Sequence, residues 1–177
     1  MQKITMSLDA FEATLQLLGC AGKHLLPGMS ATGAEQTDSF LRGREELCIN
    51  GWAEMDFDGK VSPSREFARL IYAISHAQGA ICLELPEKTQ WYLRTPVEML
   101  KIQQEKNMIT LERQGGRVFL PWIRETVLPA PEGTITTLQK EQICKTSLSE
   151  FPASSELRGR ELVKHLSLFF GKEGDDA

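Results

Sequence analysis

Residues 80–112, AICLELPEKTQWYLRTPVEMLKIQQEKNMITLE, alternate short apolar runs with turn residues, and this pattern decides the fold. The runs lie at Ala80–Leu85, Trp91–Leu93, Val97–Ile102 and Met108–Glu112. Short runs that are rich in β-branched and aromatic residues and are bounded by turn residues are typical of β-strands. Their connections are too short for parallel crossovers, which need about a dozen residues or more. The stretch therefore predicts an antiparallel β-meander.

A glycine pair extends this meander at its C-terminal side. Gly115-Gly116 separates the last run from Val118–Ile123, and Gly-Gly between two such runs is a signal for a two-residue hairpin. The predicted meander then has about three to five strands. It occupies about residues 80–128 of a single α+β domain.

Three helices are predicted before the meander, in a helical and hairpin part that covers about residues 1–79. Ser7 fits an N-cap for a first helix that should fade near Gly19. A second helix is expected over Ala34–Ile49, with Asn50-Gly51 as its C-terminal stop. Its apolar side should carry Phe40, Leu41, Leu47 and Cys48. A third helix should begin at Ser62 or Ser64 and end at Gly79.

Residues Trp52–Phe67, WAEMDFDGKVSPSREF, resemble a calcium loop but are better explained as a hairpin. With Gly59 as the turn glycine, Glu54, Asp56 and Asp58 fall on the first three ligand positions of an EF-hand loop. The twelfth position, which needs a bidentate Glu, is Arg65. Asp-Gly between short β-prone runs is a strong hairpin signal because glycine accepts a positive φ. We therefore predict a β-hairpin without a metal.

The C-terminal third is predicted as a linker and one helix, over about residues 129–171. A short helix is expected around Leu138–Ser147. The last helix should start near Ser154 or Ser155 and present an apolar stripe of Leu162, Val163, Leu166, Phe169 and Phe170. Residues 172–177 are expected to be a disordered tail.

The composition favours a soluble protein of ordinary kind. The net charge is −4, which argues against nucleic acid as the partner because phosphate binding needs a basic surface. No long uninterrupted apolar window and no signal peptide are recognised, so we predict no membrane span and a cytoplasmic location. The four cysteines lie far apart and are expected to be buried free thiols. We predict no catalytic residue, metal or cofactor, and no enzyme activity.

The order of elements around Glu46–Ser75, ELCINGWAEMDFDGKVSPSREFARLIYAIS, resembles the EspG-type cytosolic chaperones of type VII (ESX) secretion. The similarity covers about residues 35–125: a helix end, a short hairpin, a third helix and a meander. EspG-type proteins are longer, with an extended second half. The resemblance implies a chaperone or adaptor that binds the apolar tip of a helical-hairpin secretion substrate and keeps it soluble.

A partner of this kind would dock on an exposed face of the meander. The candidate partner-binding residues are Trp91, Tyr92, Leu93, Phe119 and Trp122. Cross-strand aromatic pairs that only stabilise the sheet are the alternative explanation for these residues. Two other functions stay open. A winged-helix DNA-binding regulator would use the second helix for recognition and the hairpin as its wing, and an enzyme would use a site that the sequence does not reveal. The oligomeric state is not predicted.

Overall fold

The computed structural model of the chain describes residues 3–20, 26, 36–95, 98–114, 125, 127, 129–130, 132–139, 142–152 and 155–170. The α-helices in these ranges are α1 (Leu8–Leu17), α2 (Gln36–Ile49), α3 (Arg65–Ser75) and α4 (Ser155–Phe170). The strands are β1 (Lys3–Ser7), β2 (Ala53–Met55), β3 (Val61–Pro63), β4 (Gly79–Glu84), β5 (Thr89–Arg94), β6 (Met99–Glu105), β7 (Met108–Gln114), β8 (Thr134–Gln139) and β9 (Gln142–Ser147). The predicted α+β class, with N-terminal helices, a short hairpin, an antiparallel sheet and a C-terminal helix, is confirmed.

The main sheet has seven strands in the order β1-β7-β6-β5-β4-β8-β9, and every neighbouring pair is antiparallel. The antiparallel meander is therefore confirmed as β4 to β7. The sheet is wider than predicted because β1 joins one edge and the β8–β9 hairpin joins the other. The predicted strand over Val118–Ile123 lies outside the described residues.

The short helix predicted around Leu138–Ser147 is wrong. This segment forms the end of β8 and all of β9 instead. β8 reads TITTLQ and pairs along its whole length with β4. Thr and Ile are β-branched residues, which fit a pleated strand better than a helix. The free edge of β4 provides the backbone partners that decide between the two conformations.

The predicted helices before the meander are found close to their expected boundaries. The Ser7 side chain accepts a hydrogen bond from the Ala10 N–H and caps α1, and Ser64 caps α3 in the same way. Gly51, with φ of +69°, follows the end of α2. α3 ends at Ser75, before Gly79, which begins β4 instead of stopping the helix.

The two faces of the sheet are covered by different parts of the chain. α1, α2 and α3 pack on one face, over side chains such as Ala80, Trp91 and Leu100. α4 packs on the opposite face, where Leu162 and Leu166 join the cluster that contains Ile81. Because side chains alternate along a strand, neighbouring residues of β4 and β5 enter opposite layers. Both faces of these central strands are therefore buried.

The expectation for the four cysteines is confirmed in part. The cysteines are free thiols as predicted, but only Cys20 and Cys82 are buried, Cys48 is half-buried and Cys144 is exposed. Within the ranges given above, no helix is both long and apolar enough to cross a membrane.

Candidate functional site

The meander residues proposed for partner binding are buried wherever the structure describes them. Trp91, Tyr92 and Leu93 are 1%, 3% and 0% exposed. The expectation of a partly exposed aromatic face is therefore wrong at these three positions, because helices or loops cover both faces of β5. Phe119 and Trp122 lie outside the described residues, and their role stays a prediction.

Two ionisable groups lie in the same buried layers. The pKa of the Cys82 thiol is raised to about 12, mainly by burial and in smaller part by the Glu84 carboxylate, while Lys145 lowers it slightly. Burial also raises the pKa of Tyr92 above its ordinary value, with Glu112 and Glu125 adding to the effect. Both groups are therefore protonated and neutral near pH 7. A neutral buried thiol is a poor nucleophile, so Cys82 belongs to the core.

The hairpin predicted at Asp58-Gly59 is present, and the Asp56 side chain organises its turn. The Asp56 Oδ1 accepts hydrogen bonds from the backbone N–H of Asp58, at 3.0 Å, and of Lys60, at 2.8 Å. The Asp56 backbone also exchanges hydrogen bonds with Gly59 and Lys60. Gly59 has φ of +77°, a left-handed conformation that glycine adopts without strain. We call residues 56–60 the hairpin tip.

The hairpin is held against the neighbouring helices at both of its ends. At the tip, the Arg44 Nη2 of α2 donates a hydrogen bond of 2.7 Å to the Gly59 carbonyl oxygen. The same guanidinium lies over the Phe40 ring, 5.6 Å from its centre. At the base, the Ser64 N–H donates to the Trp52 carbonyl oxygen, and the Trp52 ring stacks on Phe67 of α3. These contacts fix the orientation of the hairpin before any partner binds.

Large apolar side chains are exposed along this unit. Phe57 at the hairpin tip is 110% exposed, which means that no described residue covers its ring. Three further apolar residues are more than half exposed, Leu41 and Ile49 on α2 and Met55 beside the tip. We call Leu41, Ile49, Met55 and Phe57 the α2–hairpin surface. The prediction that Leu41 lies on the apolar side of α2 is wrong, since Leu41 is 51% exposed; Leu47, from the same predicted set, is buried.

The α2–hairpin surface has a negative border. Glu54, Asp56 and Asp58 are exposed beside Met55 and Phe57, and Lys60 is the one exposed cation on the hairpin between residues 53 and 63. Arg44 keeps its positive charge while its guanidinium donates to the Gly59 carbonyl, so the hairpin and Arg44 together carry three carboxylates and two cations. An exposed aromatic ring among carboxylates differs from a membrane-inserting tip, which pairs apolar residues with Lys and Arg.

The sequence contains one signal for this surface, an aromatic residue in a turn, which lies outside the aromatic strands that carried the binding prediction. Phe57 lies between Asp56 and Asp58 in the turn, where a ring has no neighbouring strand to pack against. The two flanking aspartates also fall on ligand positions of the calcium-loop pattern. The Asp56 oxygen that would bind a cation accepts two backbone hydrogen bonds instead. Among the described residues, no group of three or more His, Cys, Asp or Glu side chains is arranged to hold a metal.

No protein-family model matches the sequence. A search of the curated proteins also finds no match. The function of the surface is therefore argued from its own chemistry.

Proposed function

We propose that this protein is a protein-binding module, an adaptor or chaperone, that holds its partner on the α2–hairpin surface. The observation that carries the proposal is the complete exposure of Phe57 at the end of a hairpin that α2 and α3 hold in place. A fully exposed aromatic ring on an ordered hairpin is a candidate contact for a partner, since aromatic residues are enriched among binding hot spots. Moving one Phe side chain from water into an apolar pocket stabilises a complex by about 1.5–3 kcal/mol.

The hairpin is suited to this role because it is ordered before binding. Asp56 closes the turn and Arg44 holds it to α2, so little conformational entropy is lost when Phe57 enters a pocket. Ordering a side chain or loop on binding costs about 0.5–1.5 kcal/mol for each group, and a rigid hairpin avoids part of that cost.

The partner that fits is a polypeptide with an apolar helical segment and basic residues beside it. The apolar segment would cover Phe57 and Met55, and Lys or Arg would face Glu54, Asp56 and Asp58. The resemblance to EspG-type chaperones adds the proposal that this partner is a helical-hairpin secretion substrate bound in the cytoplasm. The winged-helix alternative gains no support here, because three carboxylates on the wing would repel DNA phosphates.

The experiment compares partner capture by the wild type and three variants. Tagged protein is used to recover partners from the native cell, and the recovered proteins are quantified by mass spectrometry. We expect Phe57→Ala to reduce the recovery of specific partners by about tenfold or more, which corresponds to 1.4 kcal/mol. Asp58→Asn should weaken recovery less and should reduce its dependence on salt. Tyr72→Ala is the matched control, because Tyr72 is an exposed aromatic residue on α3.

The melting temperature separates loss of binding from loss of folding. No residue in the described ranges packs on the Phe57 ring, so the melting temperature of Phe57→Ala should equal that of the wild type. An unchanged set of partners after Phe57→Ala, or an equal loss with Tyr72→Ala, would contradict the proposed surface.

A further inference from the structure

Arg158 is a charged residue in the apolar layer beneath α4. It lies one helical turn before Leu162 and two turns before Leu166, on the side of α4 that faces the sheet. Arg158 is 8% exposed, and both leucines are fully buried. The cluster that these leucines join also contains Leu148, Ile135 and Ile81. The guanidinium therefore lies at the border of an apolar core.

Few of the Arg158 donors have a partner. The Nη2 donates one hydrogen bond, of 3.4 Å, to the Leu148 carbonyl oxygen. The Nε is shielded from solvent and has no hydrogen-bond partner. A guanidinium has five N–H donors and does not lose its charge in proteins. The Nε donor is therefore unused, and the other four N–H donors make one hydrogen bond to a described residue.

Three carboxylates lie near Arg158 along the chain, and none of them is paired with it. Glu161, three residues further on, is exposed to solvent. The Glu150 Oε1 accepts the Ser147 N–H at 3.0 Å and completes the cap of a short 3-10 helix. The Glu156 Oε1 accepts from the Arg160 Nη2 at 2.8 Å, on the exposed side of α4. Among the described residues, Arg158 has no ion pair with a carboxylate. A buried charge without a counter-charge destabilises a fold unless a bound ion supplies one.

We infer that Arg158 is the recognition group of an oxyanion site at the sheet-facing side of α4. The anion is a carboxylate or a phosphate group, since both accept the two parallel hydrogen bonds of a guanidinium. It supplies the counter-charge that no described carboxylate provides, and it accepts from donors that the Leu148 carbonyl leaves free. This site is separate from the α2–hairpin surface and does not depend on the function proposed for that surface.

The test measures thermal unfolding of the full chain with added anions. The wild type, Arg158→Met and Arg158→Lys are heated in increasing sodium phosphate, in increasing sodium acetate, and in sodium chloride of equal ionic strength. A ligand that binds only the folded state raises the melting temperature with the logarithm of its concentration. Phosphate also stabilises proteins in general, so the informative quantity is the difference between the wild type and Arg158→Met.

We expect phosphate or acetate to raise the melting temperature of the wild type by at least about 2 °C more than that of Arg158→Met. Arg158→Lys should respond weakly, because an ammonium group cannot form the paired hydrogen bonds. Arg160→Met, which removes an exposed arginine from the same helix, should respond like the wild type. The anion that gives the larger difference identifies the class of ligand.

A second measurement tests the site without a substitution. In NMR spectra of the wild type, titration with the active anion should shift the Nε–H resonance of Arg158 and leave that of Arg160 in place. Equal melting responses of the wild type and Arg158→Met would overturn the inference, as would an unmoved Arg158 resonance. A purely structural role for the Leu148 contact would lower the stability of Arg158→Met without any dependence on the anion.

Discussion

At the scale of single residues, aromatic side chains of similar character have opposite environments in this protein. Trp91 lies in the central strand β5 and is buried, whereas Phe57 lies in a turn and is fully exposed. Hydrophobicity alone does not separate them, because burial depends on which elements pack above each position. Exposure at Phe57 costs hydration free energy that binding would recover.

Cys82 provides a prediction at this scale. Its folded-state pKa is about 12, whereas an unfolded thiol has a pKa of about 8.5. Its contribution to stability is therefore complete below about pH 8.5 and is lost as the pH rises through the folded-state value. We expect the free energy of unfolding to decrease above about pH 8.5, by up to about 1.4 kcal/mol per pH unit from this group.

Urea unfolding at pH 8, 9 and 10 measures this slope, and Cys82→Ala is the comparison. The variant should lose stability less steeply than the wild type over this range. Tyr92 contributes in the same direction only above its ordinary pKa of about 10, so the chosen range emphasises the thiol. Parallel pH profiles for the two proteins would show that the thiol does not stay protonated in the folded state.

At the scale of elements, the α2–hairpin unit depends on close packing between α1 and α2. Gly43 of α2 faces the α1 backbone, and a Cβ atom placed there would lie 2.2 Å from the Asp9 carbonyl oxygen. Two polar contacts join the helices beside it, Arg42 to the Asp9 carboxylate and the Ser7 N–H to the Glu46 carboxylate, each 2.9 Å long. The glycine thus permits an approach that positions α2, and with it the hairpin.

Replacing Gly43 by Ala should therefore destabilise the protein, although Ala favours helices over Gly by about 1 kcal/mol. The added methyl group must push α1 away from α2, and overpacking of this kind costs about 1–3 kcal/mol. Chemical denaturation measures the change, with Glu45→Ala on the exposed side of α2 as the control. A Gly43→Ala variant as stable as the wild type would show that the helices can separate without cost.

At the scale of the whole molecule, the sheet needs a cover on each face. The N-terminal helices bury one face and α4 buries the other. Side chains of β4 and β5 belong to both of the buried layers. A sheet with both faces buried transmits packing changes between the two layers, since the same strands contribute to each.

Leu162→Ala should test this coupling. The substitution leaves a cavity beneath α4 and should lower the free energy of unfolding by about 2–5 kcal/mol. Leu157→Ala, on the exposed side of the same helix, should change it by less than about 0.5 kcal/mol. Circular dichroism and tryptophan fluorescence should report one coincident transition for both variants. Two separated transitions would mean that α4 unfolds independently of the sheet.

Patterns that are local in the sequence were enough for much of this fold. The Ser7 and Ser64 caps, the helical spacing of Phe67, Leu70 and Ile71, and the alternation in the meander predicted elements that the structure contains. Each of these signals arises from contacts between residues that are close along the chain, so the sequence is sufficient to recognise them.

Pairing and coverage were decided only by the tertiary structure. β8 is a strand because it pairs with the free edge of β4, and β9 extends the sheet from β8. Trp91 is buried because the N-terminal helices pack on its face of the sheet. Phe57 remained uncovered because no described element packs on its ring. Contacts of this kind join residues far apart in sequence. A local pattern does not predict which distant element will pack on a given position.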